Sequence, residues 1–335
     1  MWQRTAIVVA LGLLSVPRAE LRSEEIRYSE LLISDLHWVT FDVAMGRILA
    51  TGNRTKQDRQ RGTRERPDGA AEAIAVTLDR GLVSVHYEYH SATRQLVIRV
   101  VRRDSVEIES TLSDASVPSE QMSFVQQPEG DVSLTIQTDG GSPCVYQAAS
   151  LWHLQLAHPE ICRAHLNDVL QVFRPNWQIE DEVAEIRSSL LACEPERLTT
   201  SRREVEVLVA QMADDDFRIR QRSARELQAR GRSVLGFLQA LDPATLDAEQ
   251  RLRVESIRRA IIADYEDTPA RVVAWLVNDT STWLALLGDD TPERRAHANS
   301  HLARLCDHPI DFDPEATLET RSAQLADLRS ELLRR

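Results

Sequence analysis

The chain has 335 residues, more than one small hydrophobic core requires, and its length predicts two domains behind a targeting segment. Its formal net charge of -12 argues against a nucleic-acid-binding protein, because binding to phosphates is driven by clusters of Lys and Arg. Lys56 is the only lysine, so arginine carries almost all of the positive charge. This bias is typical of a GC-rich genome; the alternative is bidentate recognition of carboxylate or phosphate groups.

Residues 1–19 have the pattern of a signal peptide. Arg4 supplies a positive start, the stretch from Thr5 to Val16 is apolar, and Ala19 is a small residue suited to cleavage. The apolar run has 12 residues, whereas a membrane-spanning helix needs about 20. We therefore predict a bacterial exported protein, periplasmic, envelope-bound or secreted, without a stable membrane span after cleavage. Pro17 departs from the usual cleavage pattern, so an uncleaved anchor and a buried N-terminal helix are the alternatives.

Residues 20–148 are predicted to form a β-rich domain. A charged, helical lead-in to Asp35 is followed by segments in which polar and apolar residues alternate, as in strands with one buried face. The connections are short turns, which favours an antiparallel sheet or small sandwich. Segment 53–69 has almost no apolar side chains and is predicted to be a mobile loop. The predicted strands cover 38–43, 47–51, 74–78, 82–90, 95–101, 105–112, 122–126, 132–136 and 144–146.

Residues 149–335 are predicted to be all helical, so the expected fold class is α+β with the strands first. Apolar residues recur there every three to four positions, and Pro and Gly residues separate the segments. The predicted helices cover 150–157, 159–173, 179–193, 203–213, 217–230, 233–241, 247–264, 270–277, 282–287, 292–305 and 317–333.

Within this helical region, an Asp is followed six residues later by an Arg three times. The successive aspartates are 33 and 42 residues apart, close to the roughly 34 to 47 residues of helix-turn-helix repeats. In the first copy the apolar and small residues after the Asp fall on one stripe of the helix, which predicts their burial against a neighbour. The pairs are Asp214 with Arg220, Asp247 with Arg253, and Asp289 with Arg295, and the first stripe contains Ile219, Ala224 and Leu227.

The first copy, Asp214-Asp215-Asp216-Phe217-Arg218-Ile219-Arg220, resembles a HEAT-type repeat, and the resemblance covers about 204–306. In that family the Asp and Arg form a ladder between adjacent repeats, and the resemblance implies this role for the first pair. The later copies depart from the pattern: Ala260 replaces the Leu in the second, and Arg294 replaces Ile219 in the third, which retains Leu302. The resemblance implies an α-solenoid whose curved face binds a partner.

His86, Glu88 and His90 are the sharpest candidates for metal ligands. Alternation along a strand places them on one face, and two imidazoles with a carboxylate are a known ligand set for iron or zinc. The three positions spread over about 13 Å, which is too far to converge on one ion without a bulge. The alternative is a solvent-facing polar side, with Tyr87 and Tyr89 in the core.

A second group of candidate ligands lies near the start of the helical region and comprises His153, His158, Cys162 and His165. Cys162 and His165 are one helical turn apart, as two metal ligands can be. The alternative places Cys162 in the core, because it shares a stripe with apolar residues, and makes His165 a hydrogen-bonded helix residue.

The sequence predicts a non-catalytic scaffold. We find no Gly-x-Ser-x-Gly elbow, Ser-x-x-Lys pair or phosphate-binding glycine loop, and so assign no catalytic residue and no cofactor. The expected partner is another protein, bound through the surface of the helical repeats. Two alternatives stay open: an exported metal-dependent enzyme that uses the His86 strand, and a purely structural envelope protein.

Overall fold

The computed structural model describes residues 28–53, 58–114, 117–194, 201–262 and 266–332. The predicted signal peptide, residues 1–19, lies outside these ranges, as does the first half of the charged lead-in, residues 20–27. In the described part of the chain, ten antiparallel strands precede the long helices, which confirms the α+β fold. The change falls between Ala148, where the last strand ends, and Leu151, where the next helix begins.

The strands form a two-stranded hairpin and one eight-stranded sheet. Each strand of the large sheet pairs antiparallel with its neighbours in the chain, so the sheet is a meander with β3 and β10 at its edges. The hairpin consists of β1 Val39–Ala44 and β2 Arg47–Gly52. The sheet consists of β3 Arg59–Glu65, β4 Ala71–Asp79, β5 Leu82–His90, β6 Arg94–Val101, β7 Ser105–Asp114, β8 Val117–Gln126, β9 Val132–Thr138 and β10 Cys144–Ala148.

The prediction of a mobile loop over 53–69 was wrong for Arg59–Glu65, which forms strand β3. This strand pairs with β4 from Arg59 opposite Thr77 to Glu65 opposite Ala71. An edge strand needs few apolar side chains of its own, because it is ordered by main-chain hydrogen bonds to its neighbour. Residues 54–57 of the same segment lie outside the described ranges.

The helices follow the predicted order, and none in the described ranges is long and apolar enough to cross a membrane. A π-helical turn, Cys162–Leu166, connects α3 with α4. The helices are α1 Leu32–Asp35, α2 Leu151–Ala157, α3 Pro159–Ile161, α4 Asn167–Leu170, α5 Ile179–Ala192, α6 Arg202–Gln211, α7 Phe217–Ala229, α8 Leu235–Gln239, α9 Ala248–Ile262, α10 Pro269–Leu276, α11 Thr280–Leu286, α12 Pro292–Cys306 and α13 Leu318–Leu332.

The sheet half and the helical half share one hydrophobic core, because their buried apolar side chains form a single connected cluster. The β1–β2 hairpin contacts both halves. Phe41 of β1 packs edge-on against Phe173 after α4, with ring centroids 4.8 Å apart. On the other side, the Ile48 N–H of β2 donates to the side-chain oxygen of Gln126 in β8 at 2.9 Å.

A buried carboxylate also ties the hairpin to the helices. Asp267 accepts hydrogen bonds from the main-chain N–H groups of Met45 and Gly46 at 3.0 and 2.7 Å. It also accepts one from the indole N–H of Trp152 in α2 at 2.8 Å. Its side chain has no exposed surface, and the Arg232 guanidinium, 3.4 Å away, supplies the opposite charge. Removing the carboxylate would leave its buried donors unsatisfied, so this junction is sensitive to substitution.

A second buried carboxylate, Glu72 of β4, connects α1, which precedes the β1–β2 hairpin, to the eight-stranded sheet. It accepts hydrogen bonds from the Leu32 N–H of α1 and from the Tyr87 hydroxyl, both at 2.7 Å. Arg64 and Arg66 each approach it at 2.8 Å. Burial alone would raise the pKa of Glu72, but these four donors outweigh it and hold the pKa below its usual value.

Candidate binding surface

The first predicted Asp–Arg pair closes the turn between α6 and α7. The Asp214 carboxylate accepts the main-chain N–H of Asp216 at 2.8 Å, which sets up the turn before the helix. Arg220 then reaches back, and its Nη1 donates to the carbonyl oxygens of Asp214 and Asp215 at 2.7 and 3.1 Å. Its Nε also lies 3.2 Å from a carboxylate oxygen of Glu249 in α9. The Arg220 guanidinium therefore links the α6–α7 turn to α9.

The third pair builds the same turn between α11 and α12. The Asp289 carboxylate accepts the Thr291 N–H at 3.2 Å, and Arg295 Nη1 donates to the carbonyl oxygens of Asp289 and Asp290, both at 2.8 Å. Arg295 Nε donates to the carbonyl oxygen of Pro314 at 2.7 Å, and the residue is only 3% exposed. This geometry recurs although the third copy matched the repeat pattern least well.

The second pair is built differently. Asp247 forms a capping box with Gln250: its carboxylate accepts the Gln250 N–H at 2.7 Å, and the Gln250 side chain accepts the Asp247 N–H at 2.9 Å. Arg253 donates instead to Glu249, one turn earlier, at 2.7 Å. The reason is register, because Asp247 directly precedes the first residue of α9, Ala248, whereas the aspartates of the other two turns stand three residues before their helices.

The predicted inner stripe of α7 faces the core. Leu227 is fully buried, as is Leu302 in α12, while Ile219 and Ala224 are half-buried. Ser223, on the same side, donates to the side chain of Gln211 in α6 at 2.8 Å. The packed face of α7 therefore meets α6 and α9, and the opposite face points to solvent.

That solvent-facing side carries three exposed arginines, Arg218, Arg222 and Arg225, which we term the arginine face. None of them forms an ion pair within the described ranges. The other two arginines between Phe217 and Arg230 are committed: Arg220 binds the turn, and Arg230 pairs with Glu204 and Glu226 at 2.9 and 3.0 Å. The arginine face is therefore positive charge left available at the surface.

The candidate ligands of β5 lie on the outer face of the sheet, as alternation predicts. Tyr87 and Tyr89 are 0% and 5% exposed, whereas the side chains of His86, Glu88 and His90 are 45%, 39% and 48% exposed. Glu88 lies between the two imidazoles, 2.7 Å from one and 3.8 Å from the other. In the described ranges no group of three or more His, Cys, Asp and Glu side chains is arranged to hold a metal ion.

The second group of candidate ligands is dispersed. Cys162 is fully buried, its thiol faces the Leu154 carbonyl oxygen at 3.7 Å, and burial raises its pKa to about 12. His165 pairs with Glu120 of β8, with Nδ1 to Oε1 at 2.6 Å. The His158 ring packs on Tyr146 with centroids 4.8 Å apart. The fourth member, His153, belongs to a separate network.

Sequence reasoning missed that network, in which Ser150, His153 and Asp279 form a hydrogen-bonded chain. The Ser150 hydroxyl lies 2.8 Å from His153 Nδ1, and His153 Nε2 lies 2.8 Å from an Asp279 oxygen. Serine, histidine and aspartate also form the triad of many hydrolases. Here, however, Ser150 is 3% exposed, and a Cβ on Gly46 would come within 2.5 Å of its hydroxyl oxygen. No substrate carbonyl fits there.

The network instead joins two helix starts. Ser150 is the N-cap of α2, and Asp279 is the N-cap of α11, where it accepts the Thr282 N–H at 2.7 Å. Burial raises the pKa of Asp279, but His153 and the hydroxyl donors outweigh it and lower the pKa to about 2. Local spacing hints at the Ser150 cap, but it gives no signal for Asp279, which lies 126 residues beyond His153.

Comparison with known proteins gave no match to a family model, a curated protein or a solved structure.

Proposed function

We propose that the protein is a non-catalytic, exported scaffold that binds another protein through the surface of a HEAT-like helical half. The observation that carries this proposal is the recurrence of one turn geometry at α6–α7 and at α11–α12. In both turns the Arg of the repeat is used to hold main-chain carbonyl groups. The repeat residues therefore build the scaffold, and the outward faces of the helices are free for recognition.

The contacts between helices close in the chain support a stacked arrangement, since α7 packs on α6 and α9, and α11 packs on α12. α10 and α11 also pack on α5 and α2, which lie much earlier in the chain. Repeats of this kind contact mainly their neighbours, and together they present an extended surface on which partners dock.

The enzyme alternative finds less support in the geometry. The His86 strand lies on an open sheet face without a third converging ligand, and the Ser150 network is enclosed. A shallow cleft between α7 and α9 has no carboxylate, imidazole or thiol in its lining, which consists of Gln228, Gly231, Arg232, Ala260, Ile261 and Arg271. Enzymatic catalysis normally requires carboxylate, imidazole or thiol groups that converge in a concave site.

Site-specific photocrosslinking tests the proposal. A benzophenone amino acid is placed at exposed helical positions, Ala229 in α7 and Leu252 in α9, and at exposed sheet positions, Glu109 and Gln121. Each full-length variant is irradiated in an envelope extract of the source cells.

We expect one discrete crosslinked product from the helical positions, suppressed by excess unlabelled protein. The sheet positions are matched controls and should give none. Crosslinks that form only from the sheet, or from no position, would contradict the proposal.

A further inference from the structure

The arginine face identifies the kind of partner, on the condition that the proposed scaffold function holds. We infer that Arg218, Arg222 and Arg225 are the docking site for an acidic helical segment of the partner protein, with carboxylates spaced by one helical turn. The inference is drawn from the placement, availability and chemistry of these three guanidinium groups.

The three arginines form a straight row on a rigid support. At 1.5 Å per residue, positions i, i+4 and i+7 span about 10 Å along the helix and stay within an arc of roughly 60°. Ser223 and Leu227, on the opposite side of α7, are 1% and 0% exposed, so packing fixes the orientation of the row. A partner helix with carboxylates at i, i+4 and i+7 has the same rise and matches it group for group.

Neighbouring acidic residues do not neutralise the row. Asp214, Asp215 and Asp216 precede α7, but the carboxylates of Asp214 and Asp216 accept main-chain N–H groups in the turn, each at 2.8 Å. Glu226, within the helix, is paired with Arg230 at 3.0 Å. The carboxylates of Asp214, Asp216 and Glu226 are thus committed elsewhere, and in the described ranges Asp215 forms no ion pair with the row.

Arginine chemistry favours a carboxylate-bearing partner. The planar guanidinium binds a carboxylate in a bidentate way, with two parallel hydrogen bonds. Because the group is rigid, it loses little side-chain entropy for each hydrogen bond formed. Charges more than a Debye length away, about 8 Å at physiological ionic strength, are largely screened, so a carboxylate in contact with the row responds mainly to these three arginines. A nucleic acid, with one charge per roughly 1.7 Å, would extend past the row onto the acidic remainder of the surface.

A peptide titration tests this inference with the full-length protein. The probe is a fluorescein-labelled, alanine-rich helical peptide with Glu at i, i+4 and i+7, followed by fluorescence anisotropy at low and physiological salt. The test variant is Arg218→Gln/Arg222→Gln/Arg225→Gln. The matched control, Arg59→Gln/Arg61→Gln/Arg80→Gln, removes the same charge from exposed positions in the sheet half. Thermal unfolding of both variants confirms that they are folded.

We expect the test variant to bind the peptide about tenfold more weakly, or worse, than the unmodified protein, and the control to bind within about twofold. Binding should weaken as salt rises. Three results would overturn the inference: no binding of the peptide, equal losses in both variants, or equal competition by single-stranded DNA or anionic phospholipid vesicles.

The photocrosslinking experiment separates this inference from the proposed function. If Leu252 still crosslinks in the Arg218→Gln/Arg222→Gln/Arg225→Gln background at full yield, the scaffold stands and the arginine face is not its docking site. If no helical position crosslinks in the unmodified protein, the scaffold itself fails.

Discussion

The outer face of the sheet and the repeat turns of the helical half use their charged side chains differently. On the outer face of the sheet, charges pair with one another in solvent, as where Arg99 lies 3.1 and 3.2 Å from Glu107 and Glu109. In the helical half, Arg220 and Arg295 donate to main-chain carbonyl groups in turns. Exposed pairs contribute little to stability, whereas charged donors to otherwise unpaired carbonyl groups contribute more. The ladder of strands orders most of the first half, where the buried Glu72 cluster is an exception, whereas the repeat turns of the second half depend on charged side chains.

The largest effect is expected where a charge enters the packed face of the repeat. Leu227→Asp should destabilise the protein by about 4 kcal/mol or more, because Leu227 is fully buried and a carboxylate there would lose its hydration. The helical circular dichroism signal at 222 nm should then melt at a lower temperature. Leu252→Asp is the control, since Leu252 is 71% exposed and should change the melt little. Equal melts for the two variants would show that α7 does not pack as described.

The junction of the halves is the next most sensitive point. Asp267→Ala removes the buried acceptor for the N–H groups of Met45, Gly46 and Trp152 and the carboxylate 3.4 Å from Arg232, so we expect a loss of about 3–5 kcal/mol in the free energy of unfolding. Urea unfolding followed by tryptophan fluorescence and circular dichroism measures it. Both signals should shift together, since the halves share one core. Asp139→Ala, at an exposed turn, should leave the midpoint unchanged.

The repeat turns can be compared directly. Arg295→Ala should cost about 2–3 kcal/mol, because it leaves the buried carbonyl oxygen of Asp289 without its donor. Arg253→Ala removes only a contact with a neighbouring Glu249 in the same helix and should leave the urea midpoint nearly unchanged. If the two variants unfolded at the same urea concentration, the two kinds of turn would contribute equally to stability, which would contradict this prediction.

A smaller effect is expected at Asp279, and it depends on pH. The pKa falls from 3.8 to about 2 on folding, which corresponds to roughly 2 kcal/mol. Because the folded pKa is the lower one, this stabilisation is complete above about pH 4 and is lost as the pH falls towards 2. Asp279→Asn should therefore be less stable than the unmodified protein at pH 5, and the difference in free energy of unfolding should nearly vanish near pH 2. A difference that stays constant from pH 5 to 2 in urea titrations would contradict the lowered pKa of Asp279.

The faces of the strands were predictable, and one strand was not. In β5 the alternation placed Tyr87 and Tyr89 inside and His86, Glu88 and His90 outside, because side chains on a strand alternate strictly. β3 was not predicted, because an edge strand is ordered by hydrogen bonds to its neighbour's main chain and its sequence here shows no alternation of apolar residues.

The Asp–Arg spacing was only partly informative. A separation of six residues identified the turns at Asp214 and Asp289, yet the same separation at Asp247 gives a capping box. What decides the outcome is the distance from the Asp to the helix start, and single-sequence patterns place such boundaries only to within a few residues.

The sequence by itself determined the order of the long helices and of every strand except β3, and the buried sides of β5 and α7, because periodicity is local and the hydrophobic effect acts on it residue by residue. Only the tertiary structure decided which charged side chains are paired within the protein and which remain exposed without an ion pair. Asp267 meets Met45 across 222 positions of the chain, and His153 meets Asp279 across 126. Such partners are brought together by the packing of the whole core, so no local pattern records them, and the three arginines of α7 stand out only once those pairings are known.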